Sequence, residues 1–87
     1  MTDQLKQVLA DVERKALDAQ RRYGNFASEL EGLAVLWQEF EQLKAEVFVK
    51  EEARNLDYEY EEAIQVAAVA ARLAGQIVQR IIKELPF

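Results

Sequence analysis

The stretch EAIQVAAVAARLAGQIV, residues 62–78, decides the fold because it is apolar on nearly every side of a helix. A helix at the surface of a small protein carries apolar residues along one face, so a helix that is apolar all round is buried on more than one side. In a chain of 87 residues, two further helices leave part of such a helix uncovered. The pattern therefore predicts a homo-oligomer in which this helix lies near the interface.

Helical periodicity and end signals divide the rest of the chain into two more helices. Apolar residues recur at spacings of three and four. Polar residues suited to N-cap positions precede the three helices: Thr2, Ser28, and Asn55 or Asp57. Glu31 completes a capping-box pattern with Ser28, and Gly24 or Asn25 can end the first helix. We predict one all-α domain over residues 1–87, a three-helix chain forming an oligomeric helical bundle, with helices over residues 3–22, 28–49 and 57–84.

Small and aromatic residues add detail to the predicted oligomer. Ala67, Ala71 and Gly75 form a ridge at i, i+4 and i+8, which lets another helix approach closely. Trp37 and Phe40 on the second helix are expected to lie in the core or at an interface. We expect a homodimer or a homotetramer.

Composition narrows the chemistry that this chain can perform. Without cysteine or histidine, any bound metal is hard and oxygen-ligated, in practice Mg²⁺ or Mn²⁺. A net charge of −5 argues against general binding of nucleic acid. Asp3 and Lys6 interrupt any signal peptide, and Gln65 and Arg72 break the most apolar stretch, which is too short to span a membrane. We expect a cytoplasmic protein with no membrane segment.

Carboxylate and amide side chains form a stripe on each of two helices. At about 100° per residue, the stripes contain Glu39, Gln42 and Glu46, with Gln38 at the edge, and Glu62 with Gln65. If the stripes face each other, their oxygens line a pocket suited to Mg²⁺, and Arg72 is a candidate for holding a phosphate. The alternative is a solvated face with interhelical hydrogen bonds, since glutamates at this spacing are common on soluble helices.

Three segments, YGNFAS (23–28), EGLAVLWQEFEQLKAEV (31–47) and EEAIQVAAVAARL (61–73), resemble MazG-like nucleotide pyrophosphohydrolases of the all-α NTP pyrophosphatase superfamily. The resemblance implies a helical dimer or tetramer that cleaves nucleoside triphosphates to the monophosphate and pyrophosphate. In this family, motifs of the form E-E-x-x-E and E-x-x-D on successive helices hold magnesium, and a carboxylate orients or deprotonates the attacking water.

The motifs of this family are incomplete in the chain. They fall on Gln38, Glu39 and Gln42, and on Glu62 and Gln65, so two of five acidic positions are retained. The resemblance implies that Glu39 and Glu62 are the catalytic and metal-binding residues. Gln38, Gln42 and Gln65 are degenerate motif positions, because an amide brings no charge to a metal and cannot act as a general base. Glu46, one turn beyond Gln42, is a further candidate ligand.

Three functions remain open from the sequence. The first is a Mg²⁺-dependent nucleotide pyrophosphohydrolase whose activity is weak. The second is a non-catalytic homologue that keeps the helical oligomer and binds a nucleotide or a protein. The third is a helical adaptor whose apolar third helix docks on a different protein.

Overall fold

The computed structural model describes residues 2–86 and shows an all-α chain. Its helices are α1 (Asp3–Tyr23), α2 (Glu29–Val47) and α3 (Leu56–Lys83), with a short 3-10 turn, Glu51–Ala53, between α2 and α3. These bounds confirm the three predicted helices to within two residues at each end. The first and last residues of the predicted domain lie outside the described part. No helix within residues 2–86 is long and apolar enough to cross a membrane.

Side-chain caps begin all three helices at predicted positions. The N–H groups of Leu5, Glu31 and Tyr58 donate to the side-chain oxygens of Thr2, Ser28 and Asn55, at 3.2, 3.1 and 3.1 Å. Asn55, rather than Asp57, is therefore the cap of α3. The capping box at Ser28 is modified, because the Glu31 carboxylate accepts from the N–H of Ala27, one residue before the cap, at 3.0 Å.

The central helix is α3, and the two outer helices pack on it separately. Both α1 and α2 contact α3, but within residues 2–86 no Cα atom of α1 lies within 8 Å of one in α2. Two hydrogen-bonded pairs show that α1 runs parallel to α3. Asp11 pairs with Tyr60 near the start of α3, and Gln20, later in α1, pairs with Arg72, later in α3. The helix α2 returns antiparallel to both. The result is an elongated molecule of 58 × 30 × 22 Å.

Two polar side chains of α3 hold the turn between α1 and α2. Gln76 accepts from the N–H of Phe26 and donates to its carbonyl, both at 2.9 Å. Arg72 donates to the carbonyl of Gly24 at 3.0 Å and to the side chain of Gln20 at 3.2 Å, and its guanidinium carbon lies 4.5 Å from the centre of the Phe26 ring. The turn requires Gly24, whose φ of 69° is one that other residues rarely adopt.

The apolar core of the single chain is small. Phe26, Ile64, Ala68 and Val69 are its buried apolar residues within the described chain. Larger apolar side chains on the outer sides of the helices stay exposed, among them Val78 on α3. The prediction that one chain leaves part of α3 uncovered is therefore confirmed.

At Gly32, α2 packs tightly against its neighbours. A Cβ atom at this position would lie 2.8 Å from Leu73 Cδ1 and 2.9 Å from the ring of Phe26. Leu73 has some room to move, but the Phe26 ring is buried and its backbone is held by Gln76. Gly75, on the predicted ridge, has open space where a Cβ would lie, beside a hollow of about 230 Å³ that it shares with α1.

Gly32→Ala should lower the free energy of unfolding by about 1–2 kcal/mol, because overpacking outweighs the gain in helix propensity. Gly75→Ala is the matched control, since it changes the same residue type in a helix but meets no neighbour. It should raise the free energy of unfolding by about 0.5–1 kcal/mol. Urea denaturation measures both, and a stabilising Gly32→Ala would show that α2 can move away from α3 at little cost.

A hydrogen bond between Asp11 and Tyr60 ties α1 to α3. The Tyr60 hydroxyl donates to Asp11 Oδ2 at 2.5 Å, and Gln7 and Arg14 also donate to this carboxylate, each at 3.1 Å. The hydrogen bond from Tyr60 is the main reason why the pKa of Asp11 lies below its ordinary value of 3.8. A carboxyl group whose pKa is lowered in the folded state adds to the free energy of unfolding at pH values above its ordinary pKa. This contribution is lost as the pH falls through the lowered pKa.

Tyr60→Phe should therefore lower the free energy of unfolding at neutral pH and weaken its decline below pH 3.8, the ordinary pKa of Asp11. Urea denaturation at a series of acidic pH values measures this. Tyr23→Phe is the control, because Tyr23 is largely exposed, and it should change neither quantity. An unchanged acid response in Tyr60→Phe would mean that Tyr60 does not set the pKa of Asp11.

Candidate functional site

Packing of α2 on α3 brings Glu39 and Glu62 together. Burial raises the pKa of Glu39, and the negative charge of Glu62 raises it further. The Gln65 side chain and the positive charge of Lys15 act in the opposite direction, lowering the pKa of Glu39. The two predicted stripes therefore face each other at Glu39, Glu62 and Gln65.

Glu62 is a buried acid with an unsatisfied oxygen. The residue is 9% exposed, and its Oε2 has no hydrogen-bond partner within residues 2–86. The Tyr58 hydroxyl interacts with the same carboxylate, which raises the pKa of Tyr58, yet it leaves that oxygen unpaired. A buried unsatisfied polar group costs about 1–3 kcal/mol, and more when charged. The arrangement thus offers a place to a hydrogen-bond donor or a cation.

The two glutamines of the α2 motif are exposed, whereas Glu39 between them is partly buried. Gln38 lines an open hollow of about 580 Å³ with apolar residues of α2, including Leu33 and Trp37. Adjacent helical residues diverge by about 100°, so Glu39 faces α3 and Gln38 cannot do so. Gln42 is exposed. Of the three α2 motif positions, Glu39 is the partly buried one, and it lies beside Glu62.

Glu46 lies near the site without completing a cluster of acids. It is partly buried, and its charge contributes to the raised pKa of Tyr58. In the part of the chain that the structure describes, no three acidic side chains gather in a way that could hold a metal ion. The donors available together are two carboxylates, from Glu39 and Glu62, and the amide of Gln65.

Lys15 is a feature of the site that the sequence did not reveal. Its charge is close enough to lower the pKa of Glu39. Its side chain also lines a polar hollow of about 450 Å³ between α1 and α3, with Tyr60 and Glu61 among its neighbours. A lysine on an amphipathic helix is ordinary, and only the packing of α1 on α3 brings it toward an acid on α2.

Arg72, the predicted phosphate ligand, is engaged within the fold. Its guanidinium contacts Gln20, Gly24 and the Phe26 ring. A phosphate at Arg72 would have to share or replace these contacts. Its role as a phosphate ligand stays a prediction.

The donor set fits a weak magnesium site. Mg²⁺ is commonly held by one or two protein carboxylates, with water and substrate phosphate oxygens completing its octahedron. The unpaired oxygen of Glu62 and the facing carboxylate of Glu39 match this pattern. Because no third acidic side chain joins Glu39 and Glu62 within residues 2–86, the affinity for the free ion should be low.

Glu39→Gln should raise the free energy of unfolding at neutral pH without divalent cations, by an amount on the order of 0.5 kcal/mol, because it removes one of two facing negative charges. Glu41→Gln is the control, since Glu41 lies on the exposed side of α2. Thermal and urea denaturation in the presence of a chelator measure both. A destabilising Glu39→Gln would show that the favourable contacts of Glu39 outweigh its repulsion by Glu62.

Comparisons of the chain with protein-family models, with curated proteins and with solved structures gave no match.

Proposed function

We propose that the chain is a MazG-like nucleoside triphosphate pyrophosphohydrolase of the all-α NTP pyrophosphatase superfamily, with a reduced metal site. The observation that supports this best is the buried Glu62 carboxylate, which faces Glu39 and has an oxygen with no hydrogen-bond partner among residues 2–86. Two acids placed together in an interface destabilise the fold unless a cation offsets their charge. Their retention is simplest to understand if they bind one.

In this proposal, Glu39 and Glu62 would hold Mg²⁺ or Mn²⁺, and Gln65 would contribute its amide oxygen or contact the substrate. The metal ion would neutralise the triphosphate and help to align it. One of the two carboxylates orients the water that attacks the α-phosphorus, and the products are the nucleoside monophosphate and pyrophosphate. Lys15, whose charge reaches Glu39, is suited to pairing with a phosphate oxygen on the α1 side of the site.

The reduced charge of the site sets the expected rate. Gln65 can accept or donate a hydrogen bond but cannot take a proton, so one possible base of the family motif is missing. Glu39 and Glu62 then serve both in metal binding and in catalysis. We therefore expect slow turnover and a requirement for high concentrations of divalent cation.

A second candidate is a non-catalytic homologue that binds a nucleotide or a protein. It is favoured by the finding that, among residues 2–86, no three acidic side chains gather to hold a metal ion. The exposure of Gln38 also favours this candidate. Such a protein keeps the helical scaffold without cleaving an anhydride bond.

Pyrophosphate release from the common ribo- and deoxyribonucleoside triphosphates, with Mg²⁺ or Mn²⁺, distinguishes the two candidates. The parent chain should release pyrophosphate slowly from at least one of them. Glu39→Gln and Glu62→Gln should each reduce the rate by about 100-fold or more. Glu41→Gln, on the exposed side of α2, should leave it unchanged.

Calorimetry with Mn²⁺ and a non-hydrolysable nucleotide decides the remaining cases. Nucleotide binding without turnover, unaffected by Glu62→Gln, would support the non-catalytic homologue. If neither turnover nor Mn²⁺ binding that depends on Glu62 is observed, the proposed hydrolase function is wrong.

A further inference from the structure

A hollow of about 230 Å³ separates the C-terminal half of α1 from α3. Its polar lining consists of four amide side chains and one guanidinium: Gln20, Asn25, Arg72, Gln76 and Gln79. The rest of its lining within residues 2–86 is small or apolar, without an acidic side chain. Because a primary amide both donates and accepts hydrogen bonds, the hollow presents mainly neutral groups of both kinds. We name this space the amide hollow.

Gly75 lies in the wall of the amide hollow without a packing role in the single chain. Glycine in the interior of a helix is less favourable than alanine, yet a Cβ atom at Gly75 would meet no neighbour within 4 Å. Gly32, by contrast, is required by the Phe26 ring beside it. A bare backbone beside a hollow lets a ligand approach closely. Gly75 therefore points to an occupant that the single chain does not supply.

Part of the hydrogen-bonding capacity around the amide hollow is not used by the fold. Gln76 binds the backbone of Phe26, and Gln20 donates to the side-chain oxygen of Asn25 at 2.7 Å. Within residues 2–86, neither the side-chain nitrogen of Asn25 nor the side chain of Gln79 forms a hydrogen bond. These two amides can therefore turn their donors and acceptors to a ligand.

A second hollow, of about 400 Å³, adjoins the first and carries positive charge. The two hollows share three amide residues, Asn25, Gln76 and Gln79. Arg80 and Lys83 line the second hollow, and Glu29 is the acidic residue in its lining within residues 2–86. Because Arg80 pairs with Glu29 at 2.6 Å, Lys83 supplies the excess positive charge. We name this space the basic hollow.

The chemistry of the amide hollow fits a nucleobase. Asparagine and glutamine side chains pair with base edges that place a donor beside an acceptor, and bases also stack on the plane of a guanidinium. One face of the Arg72 guanidinium lies against the Phe26 ring, 4.5 Å from its centre. Arg72 lines the hollow and Phe26 does not, so the opposite face is available for a base to stack on.

We propose that the two hollows together bind a nucleoside monophosphate, with the base in the amide hollow and the phosphate beside Lys83 in the basic hollow. A ligand with a neutral planar end and an anionic end matches the change from amides to cations across the shared wall. Ligand sites in proteins commonly measure about 300–1,000 Å³, and the basic hollow alone falls in this range. An apolar helix docked at Gly75 would instead cover the amides without offering them partners, which is costly.

This site is separate from the pair of acids. Gln76 lies 14 residues beyond Glu62 on α3, which corresponds to about 21 Å along the helix. In one nucleotide, only the sugar and an ester oxygen lie between the base and the α-phosphorus. A single molecule therefore cannot place its α-phosphorus at the acids and its base in the amide hollow. The inference does not rest on the proposed hydrolase function.

Calorimetry with the adenosine, guanosine, cytidine and uridine monophosphates tests the site, with a chelator present to remove any metal from the acids. At least one of them should bind the parent chain with a Kd of about 1 mM or lower. Gly75→Leu fills the amide hollow, and Gln79→Leu removes an amide from it. Each should weaken binding by about 10-fold or more. Gln4→Leu is the matched control for Gln79→Leu, because Gln4 is an exposed glutamine near the start of α1, and it should leave binding unchanged.

A comparison of the monophosphate with its own nucleoside tests the basic hollow. Lys83→Gln should lower the affinity for the monophosphate to that for the nucleoside, and it should leave the affinity for the nucleoside unchanged. Equal loss for both ligands would contradict the placement of the phosphate beside Lys83. Circular dichroism checks that every variant stays helical.

The NMR signals of the side-chain amides provide a second test that needs no variant. Titration with the monophosphate should shift the signals of Asn25 and Gln79 and leave that of Gln4 in place. The proposal fails if no monophosphate binds, if Gln4→Leu weakens binding as much as Gln79→Leu, or if the shifts occur at Gln65 instead. Shifts at Gln65 that require a divalent cation would place the nucleotide at the acids, so they would overturn this site while supporting the proposed hydrolase function.

Discussion

The contacts that Arg72 and Gln76 make with the α1–α2 turn hold the structure together. Because α1 and α2 do not pack on each other, α3 must position both of them. Gln76 binds both backbone polar groups of Phe26, and Arg72 lies over the ring of the same residue. With the turn fixed there, α2 runs back along α3 in the register that sets Glu39 opposite Glu62. The candidate site is thus a consequence of a turn at the other end of the helix pair.

The sequence predicts those features that depend on neighbouring residues. Helix bounds follow from periodicity, and Thr2, Ser28 and Asn55 cap their helices because the capping bond spans three residues. The uncovered side of α3 also follows, since a helix that is apolar all round leaves some of that surface exposed in a small chain. Helix bounds and caps are local properties of the sequence, and the uncovered side of α3 follows from the small size of the chain.

Features that depend on distant contacts could not be predicted in the same way. Gln76 resembles any other polar residue on a helix until the turn is placed beside it. In the sequence, Gly32 is an unfavourable residue for a helix. Only the packing of Phe26 and Leu73 against it explains why this position must be small. Lys15 joins the site only through the packing of α1. The face-to-face arrangement of Glu39 and Glu62 could be predicted only in part. The spacing of residues along each helix defines each stripe, but the register of α2 on α3 decides whether the two stripes meet.

The separation of α1 from α2 has a consequence for the electrostatics of the site. Glu39 and Glu62 are held by one helix interface, whereas Lys15 comes from a helix that is anchored elsewhere on α3. Lys15 therefore acts on Glu39 from a helix that does not pack on α2. The α2–α3 interface holds the two carboxylates in place, while part of the electrostatic potential at Glu39 comes from α1.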